Sequence, residues 1–315
     1  MHGGDLMRVV FMGNPQFALP TLTALLSSQH DVVGIVSNPP KPMGRGRKLK
    51  STAIGQFAKE NDLNLLQSLT LKSEELHNQL SILNPDIFVV VAFQILPKSL
   101  INLPKFGALN LHASLLPKYR GAGPIQWSLM NGDKTSGITV FQIMPSVDTG
   151  DILLQEKMDI FPNDNMLTLG TRLSTIGANL VVNALDGIEA GSLQPIIQNN
   201  NHATKAPKIT KEMTIINWSW AADKIHNWVR GLSPHPGMST TWKGKRMRIF
   251  NTRVVDEGVI LGDGIVFKAD SEEIFVDTGE HLLAFSEIQL EGKKRMNVSD
   301  FMKGNNLQTG DKLGE

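Results

Sequence analysis

The segment Ile87–Phe93, which reads IFVVVAF, constrains the fold more than any other part of the sequence. It is apolar at every position, so a strand made from it must be covered on both faces, as the central strands of parallel sheets are. Arg8–Met12 and Asp31–Ser37 are two further short apolar runs, and a helical pattern lies between them. A strand, a helix and a strand in this order predict an α/β, Rossmann-like fold, which is a mostly parallel sheet with flanking helices.

The pattern of apolar and polar residues changes after a polar stretch at residues 191–207. Beyond it, short β-type segments separated by turns recur between Thr240 and Leu283, behind one amphipathic helix. Short strands at such spacing are typical of small barrels. The sequence therefore predicts a Rossmann-like catalytic domain over residues 7–190, a linker over residues 191–207 and a small, OB-like C-terminal β-barrel over residues 208–315.

The composition excludes several functional classes. The chain has no cysteine, which rules out disulfides and thiolate metal sites. Its formal net charge of +1 means that any contact with nucleic acid must be local. No apolar run approaches the roughly 18 residues that span a bilayer, and the first residues lack the apolar core of a signal peptide. We expect a cytoplasmic protein that binds neither a membrane nor a metal.

Three polar side chains, Asn110, His112 and Asp148, lie at or just beyond predicted strand ends. Asn110 and His112 are two residues apart and share one face of a strand, which at the carboxyl edge of a parallel sheet opens onto the ligand crevice. An amide can donate to a developing oxyanion, a histidine can carry a proton near neutral pH, and a carboxylate can orient and charge that histidine. Together they predict acyl-transfer chemistry. Taken singly, the histidine fits a structural role better and the aspartate fits a turn better.

A run of small and polar residues, Ser114–Pro124, follows directly. Small-residue turns and helix N-termini present backbone N–H groups that favour anionic or polar ligands. The same residues also suit an ordinary loop before a helix that starts at Pro124.

A basic segment, Pro39–Lys50, lies upstream and contains no acidic residue. Its prolines and glycines make a regular element unfavourable, so we expect an irregular loop. Such a loop either contacts a phosphate backbone or is a solvated surface. Its five basic residues are Lys41, Arg45, Arg47, Lys48 and Lys50.

The residues around the three polar side chains form a longer pattern. From Asn110 it reads N-L-H-x-S-L-L-P-x-Y-R-G-x-x-P-I-Q-W, and from Val147 it reads V-D-T-G-D-I. This pattern resembles the formyltransferase family that uses 10-formyltetrahydrofolate, and the likeness extends over nearly the whole chain. Four further segments resemble the branch of that family that formylates initiator methionyl-tRNA: Gly13–Phe17, Gly44–Leu49, Ile215–Trp218 and Leu232–Gly237.

The resemblance implies roles for the matching residues. Asn110, His112 and Asp148 match the family's catalytic triad. In relatives, a tetrapeptide just after the histidine binds tetrahydrofolate. The residues that match this tetrapeptide are Ser114, Leu115, Leu116 and Pro117.

The resemblance also implies the reaction and its partners. The formyl group of 10-formyltetrahydrofolate, a co-substrate, would pass to the α-amine of methionine on initiator methionyl-tRNA, for translation initiation. Arg45 matches an arginine that engages the acceptor end of that tRNA, and Arg47 and Lys48 are expected to contact the tRNA beside it. The expected partners are therefore folate and tRNA, and the chain is expected to act as a monomer.

Other activities remain open on the sequence alone. An amino-sugar formyltransferase, or the hydrolase part of a formyltetrahydrofolate dehydrogenase, would share the triad, but neither requires a basic Pro39–Lys50 segment, and the dehydrogenase would need a long further domain. A non-catalytic RNA-binding protein would use the barrel, where basic residues cluster at Lys243–Arg248 and Lys293–Arg295. That function would leave the central pattern unexplained.

Overall fold

The computed structural model describes residues 6–43, 46–256 and 261–315. The strands are β1 (Arg8–Gly13), β2 (Asp31–Val36), β3 (Lys41–Met43), β4 (Lys48–Lys50), β5 (Leu65–Leu66), β6 (Ile87–Val91), β7 (Ala108–His112), β8 (Thr135–Gln142), β9 (Ile152–Asp159), β10 (Met238–Trp242), β11 (Lys245–Val255), β12 (Val266–Ala269), β13 (Ile274–Asp277), β14 (Leu282–Leu290) and β15 (Met296–Asn297). The α-helices are α1 (Leu19–Leu26), α2 (Ala53–Glu60), α3 (Glu74–Ile82), α4 (Lys98–Ile101), α5 (Pro124–Met130), α6 (Met166–Glu189), α7 (Ala222–Leu232) and α8 (Val298–Met302). No helix in these ranges is long and apolar enough to cross a membrane.

The chain divides into two compact units. The first contains residues 1–124, 136–159 and 170–206, and the second contains residues 125–135, 160–169 and 207–315. The second unit therefore takes two short segments from within the expected catalytic domain.

A seven-stranded sheet forms the centre of the first unit, in the order β5-β2-β1-β6-β7-β8-β9. The five strands from β5 to β7 pair in parallel, and β8 pairs with β7 in the antiparallel sense. All five residues of β6 are buried, because each side chain is apolar and the strand has a neighbour on either side. The predicted α/β, mostly parallel sheet is confirmed.

The prediction that the basic segment Pro39–Lys50 is an irregular loop is wrong. Lys41 pairs with Lys50 and Pro42 with Leu49 in a two-stranded antiparallel sheet, where an irregular loop was expected. Like charges directly opposite each other disfavour pairing, and an isolated hairpin is marginally stable in water, so the local sequence gave no signal for it. Leu49 is 71% exposed, as befits strands that cover no core.

The second unit contains an antiparallel sheet in the order β10-β11-β14-β13-β12, with β15 beside β14. The chain end joins the two outer strands of this order: the Leu313 N–H donates to the Gly264 carbonyl just before β12, and the Gly314 N–H donates to the Thr241 carbonyl in β10. The part of the chain predicted to form a small barrel is thus an antiparallel sheet whose two edges both bond to the terminal residues. Its core includes Ile225 and Val229 of α7.

Candidate active site

Strand β7 carries the first two predicted site residues, at the point where the sheet changes from parallel to antiparallel pairing. Asn110 lies opposite Val90 of β6 and Phe141 of β8, and His112 lies opposite Thr139. Asn110 is half-buried, and within the described residues its side-chain amide makes no hydrogen bond. An amide held on a buried strand without a partner is available to donate to a ligand.

The His112 ring is buried, and both of its nitrogens face defined groups. Nε2 lies 2.9 Å from the Tyr119 carbonyl oxygen. Because a carbonyl oxygen only accepts hydrogen bonds, Nε2 carries the proton, and the neutral ring has its lone pair on Nδ1. Nδ1 lies 3.7 Å from Oδ2 of Asp148. When Nδ1 takes a proton, the ring becomes positively charged and forms an ion pair with the Asp148 carboxylate.

Asp148 reaches His112 from the loop between β8 and β9. Its backbone has a φ of 53°, a left-handed conformation that is uncommon for residues other than glycine. Its Oδ2 accepts a hydrogen bond of 2.8 Å from the Gly121 N–H. A Cβ at Gly150 would collide with the Gln142 carbonyl oxygen, because the loop folds back tightly against the end of β8, so this position requires glycine. The structure thus brings all three predicted catalytic residues to one edge of the sheet.

Gln198 holds the Asp148 loop, a role that no sequence pattern indicated. Its side chain is buried, and Nε2 donates to the carbonyl oxygens of Asp148 (3.0 Å) and Gly150 (2.7 Å). Its Oε1 accepts from Arg120 Nε at 3.1 Å and Nη2 at 2.7 Å. Gln198 therefore helps to hold the site in place, although it lies in the stretch expected to be a linker. The placement of a linker at residues 191–207 stays a prediction.

The same stretch also holds the loop that follows the tetrapeptide. The Arg120 N–H donates to the Thr204 carbonyl at 2.9 Å, and the Ala206 N–H donates to the Arg120 carbonyl at 2.7 Å. Gly121 has a φ of 123°, and a Cβ there would lie 2.6 Å from the Ala206 carbonyl oxygen, so only glycine fits. We call residues 198–206 the strap, because they are bonded to both loops that meet at Asp148.

Replacing Gln198 with glutamate is expected to lower kcat about tenfold to a hundredfold, with a smaller effect on KM. The substitution keeps the size of the side chain and the acceptor for Arg120, but at neutral pH it removes the donor to the Asp148 and Gly150 carbonyls. A displacement of about 1 Å at a reacting group can cost about a hundredfold in rate. Steady-state kinetics for both substrates, with a thermal melt for each variant, measures the effect.

Asn200→Ala is the matched control, because Asn200 accepts from Arg120 at 2.9 Å and, among the hydrogen bonds of the described residues, makes none to the Asp148 loop. It should leave kcat within about threefold of the wild-type value. Wild-type kcat in Gln198→Glu would show that the strap does not position Asp148.

The tetrapeptide Ser114–Pro117 forms a turn whose polar groups largely bond to one another and to β8 and β9. The Ser114 hydroxyl is buried and donates to the Lys118 carbonyl at 2.6 Å, and Thr139 Oγ1 donates to the Ser114 carbonyl at 2.6 Å. Leu116 is buried, and its peptide bond to Pro117 is cis. Half-buried Leu115 and Pro117 retain apolar surface for a ligand.

Strands β3 and β4, which together we call the basic hairpin, are anchored to the carboxyl edge of the parallel strands. The Asn38 N–H donates to Asn14 Oδ1 at 2.9 Å, and Gln94 Nε2 donates to Asn38 Oδ1 at 2.6 Å. On the other side, Thr52 caps α2 and its hydroxyl lies 2.6 Å from that of Ser37. Asn14, the pair Ser37–Asn38 and Gln94 follow β1, β2 and β6 respectively, so both ends of the hairpin are attached to the same sheet edge.

Two of the three predicted tRNA contacts lie in the part of the chain that the structure describes. Arg47, in the turn before β4, and Lys48, at the start of β4, are both exposed. Arg47 has a φ of 47°. Arg45 lies outside the described residues.

Comparison with known proteins gives matches over both parts of the chain. The family described as "Formyl transferase" matches residues 7–185, and that described as "Formyl transferase, C-terminal domain" matches residues 208–306. A protein named methionyl-tRNA formyltransferase, from Alkaliphilus oremlandii, is 39% identical over 310 residues, which cover 98% of this chain and 100% of the relative.

Solved structures share the fold at low sequence identity. HypX from Aquifex aeolicus in complex with tetrahydrofolic acid superposes with a TM-score of 0.67 at 14% identity, over 95% of this chain and 47% of that one. A methionyl-tRNA formyltransferase from Clostridium thermocellum gives a TM-score of 0.53 at 17% identity, over 81% of this chain and 96% of that one.

Proposed function

Because this chain belongs to the methionyl-tRNA formyltransferase family, we propose that Asn110, His112 and Asp148 are the residues that catalyse its formyl transfer. The protein formylates initiator methionyl-tRNA with a folate as the formyl donor, a reaction of translation initiation. The observation that best supports these roles is the Asp148 carboxylate, 3.7 Å from the histidine nitrogen that carries the lone pair.

The reaction exchanges one C–N bond for another. The free α-amine of methionine, esterified to tRNA, attacks the formyl carbon of 10-formyltetrahydrofolate, and the carbonyl oxygen becomes an oxyanion. The Asn110 amide, which has no hydrogen-bond partner among the described residues, donates to that oxygen, a contact worth about 3 kcal/mol in comparable sites. The bond from carbon to N10 then breaks, and N10 leaves with a proton.

His112 moves that proton. Nδ1 takes it from the attacking amine, because Nε2 is already protonated and bonded to the Tyr119 carbonyl. The Asp148 carboxylate stabilises the resulting imidazolium, whose positive charge in turn stabilises the oxyanion. The same Nδ1 returns the proton to N10 of the folate. All three side chains belong to one chain, so this proposed chemistry needs no residue from a second copy.

The choice of acceptor is tested by offering three acceptors with 10-formyltetrahydrofolate: methionyl-tRNA, an amino-sugar nucleotide and water alone. We expect the formyl group to appear on methionyl-tRNA, at a rate at least a hundredfold above either alternative. Preferential formylation of the sugar would indicate the amino-sugar branch of the fold. Preferential release of formate would indicate a hydrolase.

Ser114, Leu115, Leu116 and Pro117 are proposed to border the folate. Since the Ser114 hydroxyl is already bonded inside the turn, the contact would come from Leu115, Pro117 and backbone atoms. This arrangement suits the flat, partly apolar ring system of a folate better than a small polar ligand.

Arg45, Arg47 and Lys48 are proposed to contact the phosphates of the tRNA acceptor end. Replacing Arg47 and Lys48 with alanine should raise the Kd for tRNA about tenfold at moderate salt and flatten the dependence of log Kd on log salt concentration by about 1 to 2, because each lost phosphate contact removes about 0.7 to 0.9 from the slope. Filter binding over a range of salt concentrations measures both quantities.

Lys59→Ala with Lys72→Ala is the matched control, since both lysines are exposed and the change in net charge is the same. If the two double variants had equal slopes, the effect would come from the total charge of the protein and not from the hairpin.

A further inference from the structure

Three side chains that the catalytic reaction does not use meet at the end of the longest helix. His30 lies in the turn between α1 and β2, and Asp186 and Glu189 lie three residues apart on the last turn of α6. One ring nitrogen of the histidine and one carboxylate oxygen of each acid all lie within 4.8 Å of one another. Residues three apart on a helix are neighbours on its surface, so both acids face the same way.

The imidazole of His30 is buried, and its nitrogens lack hydrogen-bond partners among the described residues. Its side chain is fully shielded, and among the described residues neither Nδ1 nor Nε2 makes a hydrogen bond. Nε2 faces Asp186 Oδ1 at 3.2 Å. Buried polar groups in native proteins are nearly always satisfied, and one that is not points to a missing partner such as an ion. The ring is therefore shielded from water and aimed at a carboxylate.

The charge at this end of α6 also favours a cation. The C-terminus of a helix has a negative partial charge, which cations stabilise and carboxylates do not. The last turn of α6 nevertheless holds two acidic residues and no basic one. Gln29 Nε2 donates to Asp186 Oδ1 at 2.9 Å, but this donor is neutral. The two carboxylates and the helix terminus together create a local negative field beside the buried imidazole.

We propose that His30, Asp186 and Glu189 bind a divalent transition-metal ion, for which zinc is the best fit. One imidazole and two carboxylates suit zinc, whereas magnesium prefers oxygen ligands in an octahedral arrangement. Two ligand atoms about 2.0 Å from a tetrahedral zinc are about 3.3 Å apart, close to the separation of Nε2 and Asp186 Oδ1. Asp186 is partly exposed, so water can complete the coordination. This site departs from the metal-free chain expected from the sequence, and it ties the turn before β2 to the end of α6.

The test uses the full chain after treatment with a chelator, titrated with zinc chloride by calorimetry and melted with and without the metal. One strong zinc site is expected, with a melting midpoint that rises by several degrees when zinc is in about hundredfold excess over its Kd. Magnesium chloride should give neither effect. His30→Gln should weaken zinc binding at least tenfold, whereas His77→Gln, which changes a histidine on α3, should leave it unchanged.

Glu189→Gln provides a second variant, because this residue is only half-buried and its replacement need not disturb the fold. It should also weaken zinc binding at least tenfold. If the wild-type chain bound no zinc, or bound it equally well in both variants, the cluster would be a His30–Asp186 ion pair only and the proposal would be wrong. None of these readouts depends on formyl transfer, so they leave the assigned activity untouched.

Discussion

Replacing Asn110 with alanine is expected to lower kcat about 100- to 1,000-fold, while KM for either substrate changes by less than about threefold. In the proposed mechanism the amide contacts the oxygen most strongly when that oxygen carries negative charge, so its loss removes stabilisation from the transition state and little from the bound substrates. The expected loss corresponds to about 3 to 4 kcal/mol. Single-turnover kinetics with saturating folate and methionyl-tRNA isolates the chemical step.

The structure makes this variant easy to interpret. Within the described residues the Asn110 side chain has no hydrogen bond, so alanine leaves no buried partner unsatisfied and the melting midpoint should fall by no more than a few degrees. Asn110→Asp supplies the opposite control, because a carboxylate beside the oxyanion should reduce kcat at least as far as alanine does. Near-normal kcat in Asn110→Ala would show that another group stabilises the oxyanion.

Replacing Asp148 with asparagine is expected to lower kcat about 1,000-fold. The neutral amide cannot stabilise the imidazolium that forms when Nδ1 of His112 takes the proton. The asparagine oxygen can still accept from the Gly121 N–H, which now bonds to Asp148 at 2.8 Å, so the loop should keep its conformation. The measurement is kcat over a range of pH, with a thermal melt of the variant.

Asp148→Ala separates the two roles of this carboxylate. It should be as inactive as the asparagine variant, and it should also melt at a lower temperature, because the Gly121 N–H loses its acceptor. If Asp148→Asn kept more than about a tenth of the wild-type kcat, the carboxylate would shape the loop without assisting proton transfer.

The fold and the positions of Asn110 and His112 could be predicted because their signals are local. A short, β-branched and fully apolar run such as Ile87–Val91 favours a strand covered on both faces, and two residues separated by one position on β7 share a face by geometry. Asp148 was predicted from its turn and from the family pattern. Its left-handed backbone and its contact with Gly121 depend on packing that no sequence window contains.

The features that sequence reasoning missed depend on pairings between distant segments. Gln198 lies 50 positions from Asp148, in a polar run that looks like any exposed connection, and its burial follows from two carbonyl oxygens that need a donor. His30 and Asp186 are separated by more than 150 residues, so no short spacing of metal-ligand residues in the sequence could indicate this cluster. In the basic hairpin, the local signals of proline, glycine and like charge pointed away from the pairing that forms.

The strap also has a consequence for the order in which the site matures during synthesis. A nascent chain that has emerged only as far as residue 190 already contains all three triad residues, but it lacks the strap that fixes the Asp148 and Gly121 loops. Contacts between segments so far apart in sequence form late, since the intervening chain must first be ordered. Catalytic competence should therefore appear only after Ala206 has left the ribosome.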